Sequence, residues 1–396
     1  MSRPVARRRL LVGLAAWPVL GPLTTTALGP LARTAPAPLA GLVFGRAAEA
    51  TPNRRISKGA RERAAAAIAD DAIPDIGTYG ARDDVMRFAD EVAERRGLDA
   101  RWLRSALAQS RFVPAVARYI MPPPAGTAKN WAAYRARFVE PVRIRAGVQF
   151  WRDNAAWLAK ATEVYGVPAE IVVGIVGVES IYGRHMGGFR IIDALATLAF
   201  DFPPGRKDRS AFFRDELENW FVLCRAESVD PLEWTGSYAG AMGMAQFMPS
   251  SFNKYAVDFD ADGHVDLHAN PADVIGSVAN YLAEFGWKRG LPVRFDVRPP
   301  TDTRERAALL VPDILPTFSA AEMTARGAIL APEASAVDSA LALVELQNGD
   351  GAPSYVAGTT NFYVITRYNW SSYYAMAVVD LGEAVRREMS VSTGRR

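Results

Sequence analysis

The sequence predicts a mainly α-helical protein of the α+β class, on three observations. Stretches with few or no internal prolines run through Arg82–Gly97, Asp99–Gln109 and Trp131–Trp157, as helices require. The run Ile171–Val178 is apolar or glycine at every position, the mark of a helix buried on all sides. Strand-like segments, short and separated by Pro, Gly and Asp, occur only after Trp287. A helical body with a small β insertion follows.

Taken in order, residues 1–50 read as a targeting segment. Arg7-Arg8-Arg9 precedes an uncharged stretch of 23 residues, Leu10–Ala32, as in an export signal of the Sec or twin-arginine type. Ala48-Glu49-Ala50 and Ala35-Pro36-Ala37 are candidate cleavage sites, and no cysteine follows for a lipid anchor. Residues 51–165 read as an N-terminal helical domain interrupted by a loop at Pro122–Gly126. Residues 166–290 form the next domain, alternating helical runs with Gly-rich turns. Residues 291–350 carry the expected strands Val293–Val297, Ala308–Val311 and Leu341–Leu346. In residues 351–396 a strand pair is expected within Ser354–Tyr368. A closing helix over Tyr373–Arg387 is expected to bury Met376, Val379, Leu381 and Val385.

Composition narrows the function. The first 50 residues hold six Arg and one acid, a charge of +5; the whole chain is +3, leaving −2 for the remainder. A near-neutral body carries no basic footprint for nucleic acid. The single cysteine, Cys224, excludes internal disulfides and cysteine-based zinc sites, and its helical setting marks a buried structural thiol. Three histidines exist, His185, His264 and His268. Two lie in or beside an acidic loop and His185 is expected at a surface or rim, so a Ser–His–Asp triad is poorly supported.

Two segments carry candidate chemistry. In Val167–Gly183, Glu179 is the first charge after the apolar run and sits near the C-terminal end of the expected helix. Low dielectric and the negative end of the helix dipole both disfavour its carboxylate. A carboxyl tuned to about 6–7 can donate a proton to a leaving oxygen and take one back. The plain alternative is a residue emerging at the surface, or pairing with Arg184. In Thr235–Ser251, small residues alternate with larger ones; Ser237 and Gln246 offer neutral hydrogen bonds, Met242 and Phe247 apolar surface. That mixture suits a sugar-binding wall, or simply a Gly-rich packing turn before a helix begun at Pro249.

Together these segments resemble the family B lytic murein transglycosylases, whose catalytic core is lysozyme-like. The resemblance runs from about Tyr134 to Ala377. It is carried by Gly177–Gly183, Asp193–Leu198, Gly236–Ser251, Ile275–Leu282 and Asn361–Asn369, in that order. It implies a lysozyme-like helical core with a flanking helical domain. Glu179 would be the lone acid/base, and Ser237 would hold its carboxyl or the sugar's acetamido group. Gln246, Tyr281, Tyr368, Asn369, Tyr374 and Tyr134 would line the glycan groove. The basic residues the family places after Phe-x-x-Pro to meet the stem peptide come late here, as Arg206-Lys207 after Phe200-Asp-Phe-Pro203. The implied reaction protonates the bond between N-acetylmuramic acid and N-acetylglucosamine. The muramic 6-hydroxyl then attacks C1, giving a 1,6-anhydro product without water. One carboxyl thereby replaces the usual pair.

Asp258-Phe-Asp260-Ala-Asp262-Gly-His264-Val-Asp266 matches the start of a calcium loop, with oxygens at positions 1, 3, 5 and 9, Gly at 6 and the His264 carbonyl at 7. Position 12 is Ala269 where a standard loop has Glu. By the resemblance the loop is longer and Asp273 closes it. Structural Ca2+ is expected, with no cofactor for catalysis. The expected partners are peptidoglycan glycan strands and cell-wall synthases, without nucleic acid. The location is periplasmic, with membrane contact only through an uncleaved leader. Two other readings stand beside the lyase: a muramidase-type hydrolase and a non-catalytic cell-wall scaffold.

Overall fold

The computed structural model describes residues 77–122 and 129–393; the expected export segment lies outside them. The N-terminal helices are α1 (Asp83–Arg96), α2 (Ala100–Ala108) and α3 (Pro114–Tyr119), followed by α4 (Trp131–Ala136), α5 (Pro141–Asp153) and α6 (Ala155–Tyr165). The run expected as one helix over Trp131–Trp157 is therefore broken. Glu140 accepts the N–H groups of Val142 and Arg143 and restarts the helix at Pro141, where a proline suits the first turn.

The central elements are α7 (Ala169–Ser180), β1 (Phe189–Arg190), α8 (Ile191–Phe200), α9 (Ser210–Ala226), β2 (Thr235–Gly236), α10 (Pro249–Tyr255) and α11 (Pro271–Glu284). After them come β3 (Arg294–Arg298), α12 (Thr303–Leu310), α13 (Ala320–Ala325), β4 (Ile329–Leu330), β5 (Ala342–Asn348), β6 (Gly351–Gly358), α14 (Thr360–Tyr368) and α15 (Ser372–Thr393). The β insertion is a four-stranded antiparallel sheet in the order β4-β3-β6-β5. A separate two-stranded pair joins β1 to β2.

Two strand expectations are corrected. Ala308–Leu310 is the end of helix α12 and Val311 its C-cap, not a strand. Asp302 caps that helix through the N–H groups of Arg304 and Glu305, and a cap of this kind outweighs the β-like look of four apolar residues. Within Ser354–Tyr368 only the first part is a strand. Thr359 ends it by accepting the Asn361 N–H, and Thr360–Tyr368 is helical.

One contiguous apolar core extends from Tyr79 on the N-terminal side to Val385 on α15. A smaller core, including Phe295, Leu309, Met323 and Leu343, lies under the sheet. Cys224 is buried, and burial pushes its thiol far up, as for an inert structural residue. Met376, Val379, Leu381 and Val385 are buried as expected.

Helix α7 is the axis of the main core: Ile171–Val178 is wholly buried. It packs along α15 at backbone distance. A Cβ on Gly174 would overlap the Val378 carbonyl oxygen, and one on Gly382 the Glu170 carbonyl oxygen. Glycine is required at both places for the helices to approach this closely.

Candidate active site

Glu179 stands in the last turn of α7, and the chain leaves that helix abruptly. Ile181 and Tyr182 are both left-handed, with φ of 51° and 55°. For a β-branched residue this conformation is strained, and strain of this sort persists only where surroundings enforce it. The enforcement is visible. The Ser180 hydroxyl donates to the Met244 carbonyl at 2.7 Å and accepts the Gly183 N–H at 3.0 Å. The turn after the glutamate is thereby tied to the Gly-rich segment across the cleft.

The Glu179 carboxyl is pushed up to about 7, by burial above all; a hydrogen bond from Tyr374 acts the other way. Part of the residue's surface opens to the cleft, but the dense packing round the carboxyl governs its solvation. The Tyr374 hydroxyl donates to Glu179 Oε1 at 2.6 Å. Tyr374 is fully buried, and its ring stacks on that of Tyr368 at 6.3 Å and 15°. Both phenols are held well above their usual range, mainly by burial, with the Glu179 charge adding to it. They remain neutral donors at any pH at which the carboxyl titrates.

A cavity opens on Glu179, lined also by Ala241, Gln246, Phe247, Met248, Ser251, Tyr281 and Tyr368. Its aromatic side is rigid. Tyr281 lies 4.9 Å from Tyr368 and 5.6 Å from Phe247, centroid to centroid. The Tyr281 hydroxyl donates to the Arg367 carbonyl and the Tyr368 hydroxyl to the Ala245 carbonyl. Gln246 is itself left-handed at φ 50°. Its Nε2 donates to the carbonyls of Met186 and Gly243, which orients its Oε1 as the amide's remaining acceptor. Behind this wall, buried Glu216 on α9 accepts from both the N–H and the hydroxyl of Ser250 at 2.9 and 2.7 Å. It holds the start of α10, and with it the lining residues Met248 and Ser251.

The expected site residues do not all meet the cavity. Met242 is wholly buried. Its N–H and C=O both pair with Phe247, and the cavity lining includes Phe247 without Met242. Ser237 spends its hydroxyl on the N–H groups of Ala239 and Ala241, closing its own turn. Asn369 is buried, and its Oδ1 has no hydrogen-bond partner among the described residues. Tyr134 is half-buried between Phe138, Trp131 and Tyr373. Burial first, and the Glu179 charge second, push its phenol up to about 12. Arg206 donates to the Ile120 carbonyl, and Lys207 and His185 are exposed. Ser180, Glu216 and Ser250 were not anticipated. The hydroxyl directly after Glu179, in an otherwise apolar helix, was the signal available for the first.

The acidic loop leads from α10 to α11. Carboxylate oxygens of Asp258, Asp260 and Asp262 lie within 4.8 Å of one another. The Asp258 carboxyl is held below its usual value, chiefly by the Gly263 N–H. Asp266 turns its Oδ1 to the N–H groups of His268 and Ala269. Asp273 is fully buried and accepts the N–H groups of Phe259 and Asp266, so it knits the two ends of the loop together. The His264 N–H donates to Asp262. Three of the six expected ligands thus converge through their carboxylates. Asp260 and Asp262 are exposed, and hard carboxylate oxygens at this spacing suit calcium.

Residues 80–383 match the family described as the transglycosylase SLT domain. The chain belongs to that family. This transglycosylase is 40% identical over 318 residues to the membrane-bound lytic murein transglycosylase B of Escherichia coli K12, spanning 78% of the present chain and 84% of its relative. The soluble lytic transglycosylase SltB1 of Pseudomonas aeruginosa superposes with a TM-score of 0.70 at 41% identity, over 78% of this chain and 99% of that one. The Escherichia coli lytic transglycosylase Slt35, solved in complex with calcium, gives 0.69 at 39% identity, over 79% and 96%. The lysozyme-like fold expected of the transglycosylase is the fold of these neighbours.

Proposed function

We propose that Glu179 is the single acid and base of glycan-strand cleavage, with Tyr374 as the donor that orients its carboxyl. The enzyme is a peptidoglycan lytic transglycosylase, a carbohydrate lyase. The observation that supports the assignment is the buried carboxyl, raised to about 7, opening on a cavity walled by aromatic rings and fixed amides. Protonated Glu179 gives its proton to the oxygen between N-acetylmuramic acid and N-acetylglucosamine. The substrate's 2-acetamido group stabilises the cationic C1. Glu179, now charged and held by the Tyr374 hydroxyl, takes the proton of the muramic 6-hydroxyl as that oxygen bonds to C1. Water is not consumed, and the acid is restored. The other groups facing the cavity hold the sugars: Tyr281, Tyr368 and Phe247 as rings, Gln246 as acceptor.

The test is product mass after digestion of purified sacculi. A terminal muramic product one water lighter than the hydrolytic product is expected, and Glu179→Gln should release none. A reducing terminus would establish a hydrolase, and undiminished release by Glu179→Gln would remove the catalytic role.

The Asp258–Asp273 loop would hold calcium through Asp258, Asp260 and Asp262 with the His264 carbonyl. Its role is structural, since the loop joins α10 beneath the glycan wall to α11, which carries Tyr281. The substrate places the enzyme in the cell envelope, and the N-terminal segment supports export to the periplasm. Cell-wall synthases remain the expected protein partners.

A further inference from the structure

Tyr182 follows Glu179 by three residues, in the turn that ends α7, and the proton transfers assigned to Glu179 make no use of it. Helices commonly close on a single left-handed residue, usually glycine. Here two residues with side chains, Ile181 and Tyr182, adopt that conformation in succession. Their N–H groups turn back to the carbonyls of Gly177 and Val176, each at 3.3 Å. The Ser180 hydroxyl is one restraint on this turn.

The Tyr182 ring enters between three helices. Its centroid lies 5.2 Å from that of Phe150 on α5, with the planes at 31°. A Cβ on Gly147 of α5 would collide with the Tyr182 hydroxyl and with Val385 of α15. One on Gly177 of α7 would collide with the same hydroxyl and with Leu381 of α15. The phenol therefore ends in a slot walled by the bare backbones of α5 and α7 and closed by side chains of α15. Its hydroxyl is buried and has no hydrogen-bond partner among the described residues, and the same holds for Nε of Arg143, whose charge acts on the phenol. A buried hydroxyl without a partner costs stability, so the fit of the ring, and not its polarity, holds Tyr182 in place.

We infer that Tyr182 is a positioning residue: its ring, seated in the Gly147–Gly177 slot, fixes the left-handed exit of α7 and with it the depth at which Glu179 carries its carboxyl. The inference rests on the acid/base reading of Glu179. Gly177 stands two residues before the acid and Tyr182 three after it, so the slot and its occupant bracket the last turn of α7. A strained backbone persists only while its surroundings enforce it. Without the ring, Ile181 and Tyr182 lose a restraint, and the carboxyl shifts toward solvent. The titratable groups that act with Glu179 are the phenols of Tyr134 on α4, Tyr281 on α11, Tyr368 on α14 and Tyr374 on α15, all raised above their ordinary value. They stay neutral near pH 7, and Arg143 keeps its charge there, so a displaced profile reports the carboxyl itself.

The test is the pH dependence of kcat and KM on soluble glycan strands for wild type, Tyr182→Phe, Tyr182→Ala, Gly147→Ala and the double variant Gly147→Ala/Tyr182→Phe, with thermal unfolding of each. The protonated carboxyl is the active acid, so the wild-type rate should fall as pH passes about 7. In Tyr182→Ala and Gly147→Ala that fall should begin about one pH unit lower, as desolvation of the carboxyl is relieved. Their kcat should drop about tenfold for want of orientation, with KM little changed, because neither residue lines the cavity. Tyr182→Phe should keep the wild-type profile. In the double variant the missing hydroxyl makes room for the Gly147 methyl, and the profile should return toward wild type, a coupling expected of groups in contact. A merely structural role would lower the unfolding midpoint and the rate at every pH while leaving the alkaline limb in place, and that result would overturn the inference. A limb displaced in Tyr182→Phe would overturn it too, by assigning the effect to the hydroxyl. Should Tyr182→Ala fail to fold, Gly147→Ala and its rescue by Tyr182→Phe decide. A wild-type profile with no fall near pH 7 would strike the Glu179 reading instead, whereas a fall there that the variants leave unmoved strikes the positioning role alone.

Discussion

Replacing Glu179 by Gln should destroy activity and stabilise the protein, and the size of the gain can be worked out. The carboxyl moves from 4.5 to about 7 on folding, chiefly through burial. At 1.36 kcal/mol per tenfold, the ionised native state pays about 3 kcal/mol. Solvent on the open side of the cleft brings this to about 2–3 kcal/mol. The sign follows from proton counting. Between pH 4.5 and 7 the folded chain holds a proton that the unfolded chain has released, so stability falls as pH rises through this window and is level above it. Below the window the contribution is fully present. Glutamine is neutral throughout and can still accept the Tyr374 hydroxyl. Glu179→Gln should therefore match wild type near pH 4 and exceed it by about 2–3 kcal/mol at pH 8, or roughly 5 °C for a chain of this size. Denaturant titrations at both pH values, with thermal scans beside them, provide the measurement. Equal stability of the two proteins at pH 8 would refute a carboxyl held neutral by its surroundings.

Tyr374→Phe removes the bond that lowers the Glu179 carboxyl. The alkaline limb of the pH–rate profile should move to higher pH, while the plateau rate drops roughly tenfold or more for want of orientation. Saturating calcium, at about a hundredfold its dissociation constant, should raise unfolding stability by about 2.7 kcal/mol. A chelator should reverse the gain and Asp260→Ala abolish it, both read by thermal unfolding. Gly174→Ala should destabilise by about 2 kcal/mol in denaturant titration, because the added methyl meets the Val378 carbonyl oxygen. Helix propensity alone would give the opposite sign, so the direction of the change tests the close contact.

How much of this was legible beforehand depends on range. The buried α7 helix and its terminal glutamate stood out because eight apolar residues before one acid form a local pattern. The acidic loop did so because its oxygens follow a fixed spacing. Misreadings arose where one capping residue overrode a short apolar run: Asp302 made a helix of Ala308–Leu310, and Thr359 ended a strand and began α14. Met242 is fully buried and does not line the cavity. How deeply a methionine is buried depends on neighbours that only the folded chain supplies, and residue type does not reveal them. Glu216 and Ser250 were invisible because 34 residues separate them. Tyr374 emerged from family likeness, and only the folded chain reveals its bond to Glu179.

The acid and its phenol donor are 195 positions apart, and the donor rides on the final helix. The orientation of the acid therefore depends on the packing of α15 along α7, where Gly174 and Gly382 let the two backbones approach. Loss of the segment from Ser372 onward would remove the phenol donor together with the buried face that α15 packs against α7.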